Sequence, residues 1–326
     1  LTCLAAGFLT AAVGAAWYLE NNDLGTTQLF YQDDKLPAAF DGFRIVQVAD
    51  LHDKRFGPRQ ERLLSALRAA KPDCIVMTGD LIDRRRKGGQ PAAAFIQGAV
   101  EIAPVYFVTG NHENWSGQAE DVKRFLAKAN VVVLDDRCET LTRGNEQSYW
   151  QAYPMKRANR RKAGEIGQEV LLPALGRLLE GKEGFRILLA HHPERFATYA
   201  QAGVDLVFCG HAHGGQFRLP GVGGLYAPGQ GVFPKYTAGL YTMEATTMIV
   251  SRGLGNSLFP LRLHNFPELV AVTLKNITVC QSHPVNGPGL ASAPGGAAFI
   301  SLSSGIIFIF PCFGIKIHHM ITGTVR

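Results

Sequence analysis

The sequence lacks any cysteine framework. Its six cysteines, Cys3, Cys74, Cys138, Cys209, Cys280 and Cys312, include no C-x-x-C pair and no scaffold spacing, which excludes a zinc finger and a disulfide-stapled fold. Cys74 and Cys209 lie inside apolar runs and read as buried core thiols. Charge is also sparse: 18% of residues are charged against 46% hydrophobic, so wholesale disorder is excluded and 326 residues can bury one large core or two modest ones. Aromatic residues do not interleave the basic runs Arg84 to Lys87 and Lys156 to Lys162, as a nucleic-acid platform would need. The net charge of +6 therefore reads as solvated basic loops, and nucleic acid is not an expected partner.

The chain does contain a long apolar stretch. Leu1 to Leu19 carries no charge before Glu20 and approaches the roughly 20 residues that span a bilayer. Residues 1–20 are expected to form a transmembrane anchor, with a cleaved signal segment or a buried helix as alternatives. The expected localisation is membrane-associated, alternatively exported, with no flanking charge to set the side. A polar linker is expected over 21–42.

Beyond it, short apolar runs alternate with helical periodicities. Phe43 to Val48, Cys74 to Thr78, Val105 to Thr109, Ile187 to Ala190 and Leu206 to Cys209 read as buried strands. Arg59 to Ala70, Ala92 to Ile102, Ala119 to Ala129 and Glu194 to Ala202 suit helices. This alternation predicts an α/β fold. Ala238 to Met243, Thr247 to Val250 and Leu269 to Leu274 suit antiparallel strands completing it. Two stretches stand apart. Ser148 to Arg160 falls where a strand is due but has neither alternation nor an apolar run. A shifted reading frame there can encode Leu-Leu-Ala-Gly-Leu-Pro-Asp-Glu, so a frame slip and a real basic loop are both open. Residues 276–326 read as an appended tail, its apolar Phe299 to Ile317 being interrupted by Gly305, Pro311 and Gly314.

Polar residues with metal-ligand chemistry follow each of the five strands, where open α/β sheets place their ligands. Asp50-Leu51-His52 alone reads as a turn as readily as a metal site, and Gly79-Asp80-Leu81-Ile82-Asp83 as a helix cap. Gly110-Asn111-His112-Glu113 and Gly210-His211-Ala212-His213-Gly214-Gly215 are stronger, because alternate histidines can face one site. Six of the ten histidines (52, 112, 191, 192, 211 and 213) belong to this set. Carboxylate, imidazole and carboxamide donors without thiolate suit Mn, Zn or Fe in a binuclear hydrolytic site. Trp115 and Phe217 follow these motifs and read first as packing residues; Tyr226 to Tyr241 suits the opposite wall of a cleft.

The ordered set D-x-H, G-D-x-x-D, G-N-H-E, an isolated His and G-H-x-H resembles the calcineurin-like metallophosphoesterase superfamily over Phe43 to Leu274. GHAHGGQFRLP at 210–220, SRGLG at 251–255 and Pro267-Glu268-Leu269 resemble its bacterial membrane-associated or exported branch. The resemblance implies a sandwich of two central β-sheets flanked by helices over 43–275. It implies two metal ions, one held by Asp50, His52 and His213, the other by Asn111, His191 and His211, with Asp80 bridging. His192 is the alternative to His191. His112 is implied as the acid on the leaving oxygen, with Asp83 and Glu113 orienting ligands. Two such ions about 3.5 to 4 Å apart bind phosphoryl oxygens and acidify water for in-line displacement. The implied activity is hydrolysis of phosphomono- or phosphodiesters, with lipid-linked or cell-envelope phosphoesters as expected substrates. A nuclease or nucleotide phosphodiesterase and a non-catalytic metal-binding scaffold are the alternatives. Ala212 stands where the branch commonly has Thr, and 148–160 stands where the family usually has a strand and a Gly-Leu-x-Asp turn.

Overall fold

The computed structural model describes residues 11, 13–15, 17–86, 88–152, 168–256, 259–278 and 323–325. The strands in chain order are β1 (Gly25–Asp33), β2 (Arg44–Val48), β3 (Cys74–Met77), β4 (Val105–Phe107), β5 (Val132–Val133), β6 (Arg137–Arg143), β7 (Glu146–Ala152), β8 (Arg186–Leu189) and β9 (Leu206–Cys209). Two short hairpins follow, β10 (Arg218–Leu219) with β11 (Gly223–Gly224), and β12 (Tyr226–Ala227) with β13 (Gly231–Val232). Then come β14 (Gly239–Met243), β15 (Thr246–Val250), β16 (Glu268–Asn276) and β17 (Gly323–Val325). The helices are α1 (Glu61–Ala69), α2 (Gln90–Ala99), α3 (Asn111–Ser116), α4 (Ala119–Lys128), α5 (Gln168–Leu179) and α6 (Phe196–Gln201).

These strands make two large sheets, of seven strands in the order β17-β1-β16-β2-β3-β4-β5 and of six in the order β14-β15-β9-β8-β7-β6. The apolar side chains divide into three clusters that explain the layering. One, with Ile45, Val76, Trp150, Ile187, Phe208 and Val272, fills the space between the sheets. A second seats α1, α2 and α4 on the outer face of the first sheet through Leu63, Leu67, Phe95 and Leu126. The third seats α5 and α6 on the outer face of the second through Leu175, Leu179 and Phe196. Strands covered on both faces must be apolar at nearly every position, as β3 is throughout, and each fully buried Leu, Ile or Phe contributes about 2 kcal/mol. The expected two-sheet sandwich with flanking helices is the observed fold.

Three expectations change. The segment expected as a polar linker contains β1, which pairs in parallel with β16 from Gly25↔Glu268 to Asp33↔Asn276. Only Leu29 and Tyr31 of β1 are buried, so it has no apolar run to betray it. Ser148 to Ala152 is not loop but the second half of β7, and its burial alternates: Ser148 and Trp150 point inward while Gln147 is exposed. Trp150 is fully buried against Tyr106 and Phe43, with ring centroids 5.1 and 6.4 Å away. The rest of that stretch, 153–160, lies outside the described residues, as does most of the tail, 279–322. Finally, β14 pairs antiparallel with β15 as expected, but β15 joins β9 in parallel.

At the N-terminal end the described residues between 11 and 22 are helical, with Val13, Trp17, Tyr18 and Leu19 exposed. Among the described residues no helix is long and apolar enough to cross a membrane, so the expected transmembrane anchor has no support there; residues 1–10 lie outside them.

Because β2, β3 and β4 run parallel in one sheet, and β7, β8 and β9 in the other, the C-terminal ends of each set lie on one edge. The two edges are tied together by Gln47, whose buried amide donates to Thr78 Oγ1 (3.0 Å) at the end of β3 and to the Cys209 carbonyl (2.8 Å) at the end of β9.

Candidate metal centre

Ordinary strand-to-loop turns point side chains away from one another; here the turns are bent so that they converge. Asp50, His52, Asp80, His211 and His213 all have positive φ, between 47° and 67°, a left-handed backbone that costs a non-glycine residue about 1 kcal/mol or more. Glycines make the bend possible. At Gly79 (φ 90°) a Cβ would lie 2.6 Å from the Gly110 backbone and 2.7 Å from His191 Nδ1, so the β3 and β4 turns touch only because both residues are glycine.

Glu113, in the first turn of α3, holds this arrangement from beneath. Its buried carboxylate accepts N–H bonds from Asp80 (3.0 Å), Gly110 (2.8 Å) and Ile82 (3.1 Å). Asp50 accepts the amide of His211 at 3.0 and 3.1 Å on its two oxygens, joining the β2 and β9 turns. His112 donates its own amide to Asp80 Oδ1 (2.7 Å).

All seven residues expected as ligands come together and are buried. Asp80 Oδ2 lies 3.6 Å from His52 Nε2 on one side and 3.3 Å from His191 Nε2 on the other. His52 Nε2 is 3.2 Å from His213 Nε2; His191 Nε2 is 3.0 Å from Asn111 Oδ1 and 3.1 Å from His211 Nδ1. Donor atoms of Asp50, His52 and His213 lie within 4.8 Å of one another, as do those of Asp50, Asp80 and His191. His192 belongs to another such group with His191 and His211, but it is only partly buried and its Nδ1 is 2.8 Å from Glu194.

The electrostatics suit a cation. Burial holds His52 and His211 well below the usual imidazole range and His213 at about 3, so all three present lone pairs rather than charge. Nδ1 of His52 and of His213 are buried without a hydrogen-bond partner among the described residues. Burial also opposes charge on His191, yet Asp80 and Asp50 outweigh it and raise the ring to about 10. Burial raises Asp50 to about 7, whereas Asp80 stays well below the carboxylate range because His191 overrides its burial. Positive charge is thus stabilised at the centre of a buried cluster of oxygen and nitrogen donors, which is what a metal ion requires, and the thiolate-free set fits Mn, Zn or Fe.

Asp80, Asn111, His211 and His213 of this cluster line a cavity of about 400 Å³. His112, Trp115 and Arg84 stand on one side; Phe217, Tyr226 and Phe259 line the rest. Trp115 and Phe217 are therefore cavity walls rather than packing alone, and Tyr226 lies on the wall expected of its segment. Asp83 sits behind His112, its Oδ1 3.4 Å from Nδ1 of that ring, and also binds Arg85. Burial lowers the His112 pKa against the opposing pull of Asp80 and Asp83.

Several supporting residues carry no motif. Asn265 donates to the carbonyls of His213 (2.7 Å) and Gln216 (3.0 Å), fixing the turn that carries His213. Buried Arg262 spans the carbonyls of Gly255 (2.6 Å), Arg252 (3.1 Å) and Asn265 (3.2 Å) behind Asp50. Arg84 donates its amide to His112 Nδ1 (3.2 Å). The only sequence signal for these is the absence of any acidic residue in 251–266, where an arginine needs carbonyl partners if it is to be buried.

Comparison with known sequences decides the family. The family model for calcineurin-like phosphoesterases matches residues 43–215, more than half of the chain and all five strand-end motifs. The chain belongs to the calcineurin-like phosphoesterases. It is similar to the uncharacterized metallophosphoesterase YkuE of Bacillus subtilis (strain 168), 30% identical over 84% of this chain and 94% of that one. It is also similar to the phosphodiesterase YaeI of Escherichia coli (strain K12), 29% identical over 75% of this chain and 85% of that one. A transmembrane protein with metallophosphoesterase domain from Danio rerio is 28% identical over 74% of this chain and 55% of its own length. As a calcineurin-like phosphoesterase with a binuclear-type donor cluster, the protein is a metal-dependent hydrolase of phosphoester bonds.

Proposed function

We propose that the protein hydrolyses phosphodiesters, with Asp50, His52 and His213 holding one metal ion, Asn111, His191 and His211 the other, and Asp80 shared between them. The observation that carries this reading is the position of Asp80 Oδ2, 3.6 Å from His52 and 3.3 Å from His191, with a different imidazole partner beyond each. Mn, Zn or Fe would supply Lewis acidity toward the phosphoryl oxygens and lower the pKa of water.

The chain's own groups do the rest. In the neutral ring the Arg84 N–H donates to Nδ1 of His112 and the proton sits on Nε2, whereas Asp83 Oδ1, 3.4 Å from the same Nδ1, favours the imidazolium form with both nitrogens protonated. From the cavity wall the imidazolium form gives its Nε2 proton to the leaving oxygen of the ester and is left as the neutral ring. Asp83 orients the protonated ring through Nδ1, and Glu113 keeps Asp80 in place by holding its backbone amide. Trp115, Phe217 and Phe259 exclude water and give the alcohol part of a diester an apolar surface to lie on, a property that a compact phosphomonoester does not need. The apolar walls and the uncharged stretch 1–19 favour a lipid-linked diester at a membrane, and the names of the two relatives above, a phosphodiesterase and a transmembrane protein, point the same way. The catalytic unit comprises residues 43–275 together with β1.

The test is hydrolysis of matched chromogenic phosphomonoesters and phosphodiesters by the full chain, stripped of metal and resupplied with Mn, Zn, Fe or Mg. Metal-restored cleavage with the diester preferred is expected, together with two bound ions per chain by elemental analysis. A preference for the monoester overturns the substrate reading; one bound ion, or none, overturns the ligand assignment.

A further inference from the structure

The exposed apolar side chains are not scattered. Of the 17 large hydrophobic residues exposed among the described residues, eight lie between Leu219 and Leu263. Val222 sits in the β10–β11 hairpin at 57% exposure, and Val232 and Phe233 end the β12–β13 hairpin at 67% and 68%. Phe259, Leu261 and Leu263 lie on the neighbouring loop.

Backbone hydrogen bonds join these three segments into one platform. The Arg218 amide donates to the Leu263 carbonyl (2.9 Å), Leu225 to Phe217 (2.8 Å), and Phe233 to Leu225 (2.9 Å). Tyr226 and Phe259 belong both to this platform and to the cavity wall, so the apolar surface borders the mouth of the active site. The N-terminal helical residues extend it: Glu20 accepts the Asn265 amide (3.2 Å) and Asn256 donates to Asn21 (2.7 Å), which places exposed Trp17, Tyr18 and Leu19 beside the same loop.

We propose that the β10–β11 and β12–β13 hairpins, with the 259–263 loop, are a docking surface that seats the cavity mouth on an anionic lipid bilayer. A contiguous apolar surface of this kind is a recognition site rather than ordinary exterior. The choice of a bilayer over a protein partner rests on shape and charge. Val222 projects from the turn of one hairpin and Val232 and Phe233 from the end of the other, where they can enter a headgroup layer, and aromatic side chains border them, as at membrane interfaces. In segments 216–241 and 251–266 Lys235 is exposed and Arg218 half-buried, while Arg252 pairs with Glu268 and Arg262 is buried; neither segment contains an Asp or Glu that would repel an anionic headgroup. Continuity with the uncharged N-terminal stretch gives the same direction of approach. The proposal deepens the membrane-associated reading of the function and rests on it; it adds that the catalytic domain itself touches lipid.

The test uses the full chain with vesicles of phosphatidylcholine containing about one-third phosphatidylglycerol. A Phe233→Trp variant gains fluorescence that lipid brominated near the headgroup quenches, beyond any quenching of the unaltered chain. The combined Val222→Asp, Val232→Asp and Phe233→Asp variant, altered outside the cavity wall, keeps the wild-type rate on a soluble chromogenic diester. Its vesicle partitioning, or its rate on a vesicle-embedded diester, falls about tenfold or more. If the chain binds vesicles but the added tryptophan is not quenched, the docking surface is overturned and the N-terminal membrane reading stands. No vesicle binding at all overturns both. Concentration-dependent dimerisation abolished by the aspartates, without vesicle binding, assigns the surface to a second copy of the chain and also overturns the proposal.

Discussion

The Nδ1 of His191 lies 2.7 Å from the carbonyl oxygen of Thr78, an imidazole from one sheet bonded to the backbone end of a strand in the other. The ring can only donate there, because a carbonyl only accepts, so its Nε2 is directed at Asn111 and Asp80. With His191 raised to about 10 and Asp50 to about 7, both carry protons near neutrality and both must release them to a metal ion. Metal affinity is therefore expected to increase as pH rises from about 6 to about 9, with proton release visible by titration calorimetry in buffers of different ionisation enthalpy. Affinity that does not change with pH would contradict this.

Removing a shared or central donor should be far more damaging to activity than to folding. His211→Ala and Asp80→Ala are expected to lower kcat/KM on a chromogenic phosphodiester by more than about 10³-fold. Circular dichroism should remain that of the parent. Saturating metal, at about 100 times its Kd, should stabilise the parent by about 2.7 kcal/mol and the variants by much less. A variant that keeps its activity would remove that residue from the ligand set.

Glu113 touches backbone rather than any imidazole, and Glu113→Gln tests that role. The amide can replace one accepting oxygen but not both, leaving buried N–H groups short of a partner, at a cost of about 1–3 kcal/mol. Metal affinity should fall about 10- to 100-fold, as when a ligand's support is lost. Unchanged affinity with lowered stability would restrict Glu113 to a purely architectural role.

Trp150 tests the strand that its own sequence hides. Truncation to alanine at a fully buried position between the sheets should cost about 3–5 kcal/mol in denaturant titration. A cost below about 1 kcal/mol would mean that 146–152 is not packed as β7 in solution.

That strand also shows where sequence reasoning reaches its limit. β2, β3, β4, β8 and β9 are legible because both faces are covered and nearly every residue must be apolar, and the donors Asp, Asn and His that follow them fall on one edge by the parallel α/β pattern alone. Within 146–150 of β7 only Ser148 and Trp150 are buried, and a buried serine bonded to the Phe185 carbonyl (3.2 Å) looks like a surface residue in a sequence. β1 is illegible because its stability comes from a partner at the other end of the chain. Arg262 and Asn265 escape for a related reason: apart from the Asn256 side chain that Arg262 also reaches, their partners are backbone carbonyls, which every residue has, so no pattern of residue types announces them.

Five of the seven donors sit on left-handed backbone, and this limits how the site can be copied. Transplanting seven side chains onto a regular scaffold at matching Cβ positions would not reproduce it, because ordinary strand ends aim those bonds elsewhere. What would have to travel is a set of turns with their glycines, the Glu113 carboxylate beneath them and the Asn265 amide beside them. The same dependence makes the glycines poor sites for diversification: a methyl group added at Gly79 or Gly110 would displace ligands without altering one of them.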